Sequence, residues 1–192
     1  EVDWRPNKDG LVLNNDFYGG NFKGITEKLD YIADLGVSII YLNPISKSFS
    51  SHRYDTGDYK TPDPMLGTEA DFTAMCAEAH KYGIKVILDG VFNHCGWKFK
   101  PWQDVVEKGP ESEYFDWFMV NEWPFKEKEH NTKKGRYYSF AFADNMPKLN
   151  TNNQKVIDYL LGVCEMWVKE YDIDGLRLDV ANEISHKFCK LL

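Results

Sequence analysis

The sequence predicts an α/β fold built on a parallel sheet. Three short runs, Val37–Leu42, Ile84–Leu88 and Ile173–Leu178, are apolar, β-branched and free of alternation, as strands covered on both faces are. Each follows a segment of helical periodicity, and helix–strand alternation is the grammar of a parallel α/β sheet.

The first helical pattern places Phe22, Ile25, Leu29, Ile32 and Leu35 on one face, with Gly36 suited to the C-terminal cap. In the second, Thr68 reads as an N-cap, Phe72, Met75, Cys76 and Ala79 line one face, and Gly83 ends the helix. In the third, Val156, Tyr159, Leu160, Val163, Cys164 and Trp167 share a face. Between the second strand and the third helix, Cys95 to Asn145 breaks the rhythm. It is rich in Trp, Phe, Tyr, Lys and Glu, and has no helical period beyond a short piece near Gln103–Lys108. A stretch of that length in a compact unit is usually a functional insertion or a small subdomain.

The net charge of −7, with no Lys/Arg cluster, excludes a nucleic-acid partner, which needs a basic face. No apolar run approaches the ~20 residues that span a bilayer, so no membrane partner is expected. Cys76, Cys95, Cys164 and Cys189 form no close pair. Cys76 and Cys164 fall on apolar helix faces and read as small buried hydrophobes, which favours a reducing compartment. The high aromatic share, 15%, is concentrated between residues 97 and 142. It serves sugar stacking and core packing equally well.

The chemistry concentrates at two strand ends. The second predicted strand runs into Asp89-Gly-Val-Phe-Asn93-His94, the third into Arg177-Leu-Asp179-Val-Ala-Asn182-Glu183. A carboxylate at the C-terminal end of a parallel strand faces the crevice where such folds keep their active sites. Arg177 and Asp179, two apart on a strand, point to one face. A guanidinium beside a carboxylate favours its ionised form, as a nucleophile requires, although a structural ion pair reads the same way.

These residues also carry a resemblance. Asp89-Gly-Val-Phe-Asn-His94 and Gly175-Leu-Arg-Leu-Asp-Val-Ala-Asn-Glu183 resemble the first and second conserved regions of the α-amylase family of glycoside hydrolases. Met146-Pro-Lys-Leu-Asn150 is similar to a further motif of that family, in the form found in its neopullulanase, cyclomaltodextrinase and maltogenic-amylase subgroup. The resemblance implies a (β/α)8 barrel, of which this chain would hold strands 2–4. Residues 1–94 would be the first part, 95–145 an inserted domain after strand 3, and 146–192 the continuation through strand 4. Three strands in 192 residues fall short of the ~250 such a barrel needs, so the chain reads as an N-terminal part lacking strand 1 and strands 5–8.

By the same resemblance, Asp179 is the nucleophile and Arg177 orients it. His94, Tyr54 and Asp89 line the subsite of the attacked sugar, with an architectural alternative open for Asp89. Asn182 and Glu183 face the leaving-group side. No cofactor is required. Calcium is an optional ion, with Gly19 and Asn21 as ligand candidates although Asn21 stands where an aspartate is usual. The partner implied is an α-glucan, cleaved at α-1,4 or α-1,6 bonds, and the compartment is the cytoplasm. The family's acid/base glutamate and its His-Asp pair match nothing in the chain, so it is expected to be inactive alone. Its open barrel edges are expected to self-associate. A transglycosylase, or a non-catalytic relative serving as a binding module, is the alternative.

Overall fold

The computed structural model describes residues 5–6, 8, 10, 16–125 and 135–192. Strands β1 (Ile39–Leu42), β4 (Lys85–Gly90) and β5 (Gly175–Leu178) form a parallel sheet in the order β1-β4-β5. Strands β2 (Ser46–Ser48) and β3 (Thr56–Pro62) pair antiparallel as a separate hairpin, which the sequence reading does not anticipate.

The first helical pattern divides into α1 (Phe22–Thr26) and α2 (Leu29–Asp34). Near the break, the Thr26 hydroxyl donates back to the Phe22 carbonyl at 3.0 Å, a local bond that bends helices. After α2, Gly36 lies in the left-handed region at φ 77°, and the Val37 N–H returns to the Ile32 carbonyl. Val37 therefore belongs to the helix cap, and the strand starts two residues later than its composition suggests. Helix α3 (Glu69–Lys81) begins as expected at Thr68, which forms a reciprocal capping box with Asp71. Its Phe72, Met75, Cys76 and Ala79 are all fully buried.

Helix α5 (Gln154–Tyr171) buries Val156, Leu160, Val163 and Trp167. Strand β5 then starts at Gly175 and not at Ile173. Asp174 accounts for the delay, because its carboxylate accepts the Val86 N–H at 2.8 Å and its own N–H donates to the Val86 carbonyl. In β4 one face, that of Val86 and Leu88, is buried, while on the other Lys85 is exposed and Ile87 half-buried, and β1 is more open still. Ile39 and Tyr41, two apart and so on one face, are 49% and 44% exposed. Among the described residues the two edge strands β1 and β5 each have one partner.

Between Cys95 and Asn145 lie helix α4 (Lys100–Lys108), longer than the Gln103–Lys108 piece read from the sequence, and several 3-10 turns. Pro101 in the first turn of α4 costs no helical bond. Trp102 is fully buried, with Phe118, Phe125 and Tyr137 rings at 4.8, 5.0 and 4.7 Å. These rings belong to the same buried cluster as the sheet and its helices. Much of the aromatic excess is thus core. Among the described residues no helix is long and apolar enough to cross a membrane.

Candidate active site

Parallel pairing aligns Asp89 on β4 with Arg177 on β5. The Arg177 Nη1 donates to both Asp89 oxygens at 3.0 and 3.1 Å and to Asp179 Oδ1 at 2.8 Å. The Tyr54 hydroxyl donates to Asp89 Oδ2 at 2.8 Å, and the Tyr41 hydroxyl donates to the same oxygen. One buried carboxylate thus gathers an arginine and two tyrosines from β1, the β2–β3 loop and β5. The Asp179 N–H donates to the Gly90 carbonyl at 3.1 Å, which fixes Asp179 just beyond the end of the ladder.

The loop that delivers Tyr54 is organised by Asp55. Its buried carboxylate accepts the backbone N–H of Phe49 at 3.2 Å and that of Ser50 at 3.3 Å, together with the Ser50 hydroxyl. Gly96 lies so close that a Cβ there would stand 2.2 Å from the Asp55 carbonyl oxygen, so only glycine fits.

His94 follows β4 and is fully buried. Its Nε2 lies 3.1 Å from the Tyr54 carbonyl, and the Phe140 ring stacks on it at 4.5 Å and 8°. The resemblance places His94 against a sugar; here its ring is covered by Phe140 and its outer nitrogen is occupied by backbone. Residues 146–150 tie this corner together. The Cys95 N–H donates to the Pro147 carbonyl and the Leu149 N–H to the Asn93 carbonyl, both at 3.0 Å. Lys148 pairs with Glu183 at 2.5 Å. Asn182 and Glu183 are exposed on the turn after Val180, whose φ of 50° reverses the chain immediately beyond Asp179.

The electrostatics correct one expectation. The Asp179 carboxyl is shifted upward, not downward. Burial is the largest cause and the nearby Asp89 charge adds to it, while the Arg177 hydrogen bond and charge oppose them. A single guanidinium nitrogen shared between two carboxylates does not outweigh burial. The same burial, followed by Tyr41 and Asp89, holds the Tyr54 hydroxyl far above the ordinary tyrosine range. Burial pushes His94 down to about 4, although the Tyr54 carbonyl works the other way.

That depression makes a prediction. A histidine neutral in the fold but near 6.5 when unfolded contributes stability fully present above pH 6.5 and lost as pH falls toward 4. Urea unfolding at pH 7 and pH 4.5 should therefore differ by about 2–3 kcal/mol more in the wild type than in His94→Gln. Equal pH dependence in the two proteins would contradict it.

Of the calcium candidates Gly19 and Asn21, Asn21 is already engaged in a helix cap. Asn21 Oδ1 accepts the Gly24 N–H at 2.8 Å as the N-cap of α1. Among the described residues no group of three or more His, Cys, Asp or Glu could hold a metal ion. The sequence reading finds Asp89, Arg177, Asp179 and Tyr54, which the fold brings together. It misses Tyr41, whose hydroxyl inside an apolar strand was the available signal, and Phe140, which lies where no periodicity guides assignment. Lys148 sits in a motif it recognises but is given no contact.

A model of the α-amylase catalytic domain matches residues 5–190. The chain belongs to the α-amylase family. Among similar α-amylase family members, the cyclomaltodextrinase of Thermoanaerobacter pseudethanolicus is 51% identical over 175 residues, covering 90% of this chain and 29% of that protein. Neopullulanase 2 of Thermoactinomyces vulgaris is 44% identical over 182 residues, covering 94% of this chain and 30% of that protein. The solved type III pullulan hydrolase of Thermococcus kodakarensis superposes with a TM-score of 0.83 at 48% identity, covering 88% of this chain and 29% of that one. The chain thus spans under a third of the length of these α-amylase family relatives, as the sequence arithmetic anticipates.

Proposed function

We propose that this chain contributes the nucleophile side of the active site of a retaining α-glucan hydrolase. Asp179 would attack the anomeric carbon, and the released sugar would leave behind a covalent glycosyl-aspartate. The observation that carries the reading is the Arg177 bridge between Asp89 and Asp179 at adjoining strand ends. Cyclodextrin and pullulan fit the names of the relatives, and starch and malto-oligosaccharides, cleaved at α-1,4 or α-1,6 bonds, complete the proposed substrate class. On this reading the sheet is strands 2–4 of a (β/α)8 barrel, residues 95–145 are an insertion after strand 3, and the compartment is the cytoplasm.

A retaining glycosidase needs a second carboxyl group ~5–5.5 Å from the nucleophile as acid/base. Asp89 cannot serve freely, because Arg177, Tyr41 and Tyr54 already engage it. Glu183 is paired with Lys148. Purified alone, the chain is therefore expected to release no sugar from cyclodextrin, maltotriose or pullulan. It is also expected to scatter light as more than one copy, because Ile39, Tyr41, Val168 and Leu192 are exposed along its edges. Robust hydrolysis by a clean monomer would overturn both expectations. The assignment of Asp179 is tested by transplanting the chain into the Thermoanaerobacter cyclomaltodextrinase in place of the matching segment. A fluorinated glucosyl fluoride should then label Asp179, and labelling elsewhere would refute the assignment.

A further inference from the structure

A cavity of about 320 Å³ lies between residues 16–20 and the loop that delivers Tyr54. That volume is at the lower end of small-molecule sites, ~300–1,000 Å³. Phe17 and Tyr18 supply aromatic walls, Tyr18 being 76% exposed, and Asp16, His52 and Arg53 supply polar ones.

Arg53 is the unusual member. It is buried, its backbone is left-handed at φ 63°, and its Nε makes no hydrogen bond. Its nearest anion, Asp63 Oδ2, stands 3.5 Å from that nitrogen, and the guanidinium lies 5.4 Å from the Phe17 ring centre. Buried donors without acceptors are costly, and strained non-glycine residues cluster at ligand sites.

The charges decide the ligand class. An anion would meet Asp16, and a cation would meet Arg53. A neutral polyol satisfies both, since each hydroxyl donates and accepts, and its C–H faces pack on aromatic rings. We infer that this cavity is an accessory glucosyl-binding site, recognising a sugar unit remote from the bond that is cleaved. Its position supports the link, because Arg53 directly precedes Tyr54, and the His52 and Tyr54 rings stack at 5.9 Å. The inference rests on the proposed glucan reading for its choice of sugar.

The test is titration of the 192-residue chain with maltotriose, followed by backbone amide NMR. Saturable shifts are expected at Gly19, Gly20, Ser51 and Arg53. Tyr18→Ala, at an exposed ring, should weaken them roughly threefold or more without changing the melting temperature. Arg53→Met should weaken them about tenfold; because Arg53 is buried, Tyr18→Ala separates binding from folding. Shifts confined to Tyr54, Asp89 and Asp179 would overturn the accessory site and leave the proposed function standing. An equal response to inorganic phosphate, or no response to maltotriose, would also overturn it. Saturable cavity shifts, with a chimera that never labels at Asp179, would leave the site and remove the proposed catalytic role.

Discussion

Asp179→Asn in the cyclomaltodextrinase chimera is expected to lower kcat/KM by about 10⁴ or more, with little change in melting temperature. Asparagine preserves the shape and can still accept from the Arg177 Nη1 that contacts Asp179 at 2.8 Å. It cannot supply the electron pair that forms the glycosyl ester, and loss of the nucleophile alone costs about 10⁶ in kcat in a serine protease. A companion expectation concerns pH. The carboxylate must be ionised to attack, and burial shifts Asp179 upward, so the acid limb of kcat/KM should lie above that of an ordinary aspartate. Removing the neighbouring charge with Asp89→Asn should move that limb downward. A chimera in which Asp179→Asn retains a tenth of the wild-type rate would exclude Asp179 as nucleophile.

Much of this arrangement is legible in the residues because it depends on strand parity and strand ends. Arg177 and Asp179 must share a face, and Asp89 must stand where β4 leaves the sheet, whichever helices cover the rest. Helix α3 is legible because Thr68 reads as an N-cap and Phe72, Met75, Cys76 and Ala79 are one stripe; its capping partner Asp71 emerges only in the fold. What is not legible depends on contacts distant in sequence. Nothing local announces that Phe140 will cover His94, or that Lys148 will reach Glu183 across 35 residues. The upward shift of Asp179 escapes for a related reason. The sequence shows one cation beside one anion, whereas the fold adds Asp89 to the same guanidinium and buries the group. The late starts of β1 and β5 follow from Val37 joining a helix cap and Asp174 bonding Val86, both decided by side-chain and cap geometry and not by hydrophobicity.

Asp89→Ala is expected to destabilise the fold by about 3–5 kcal/mol, the range for breaking a buried charged pair from one side. The Asp89 side chain is wholly buried and receives three donors, whereas the side chain of Arg177 is 45% exposed. Water therefore screens much of the arginine's attraction, and the Coulomb energy of the pair is modest. The larger part of the cost comes from the interior side. The Tyr41 and Tyr54 hydroxyls lose their shared acceptor, and a void opens between β1, β4 and the Tyr54 loop. Asp89→Asn keeps the volume and one acceptor oxygen, so it should recover at least half of the loss, whereas relief of ion pairing alone would penalise both variants alike. Urea unfolding of the three proteins at pH 7 separates these accounts. If Asp89→Ala lies within 1 kcal/mol of the wild type, Asp89 is not the group that holds the Tyr54 loop to the sheet. A loss shared equally by both variants would place the energy in the Arg177 pair instead.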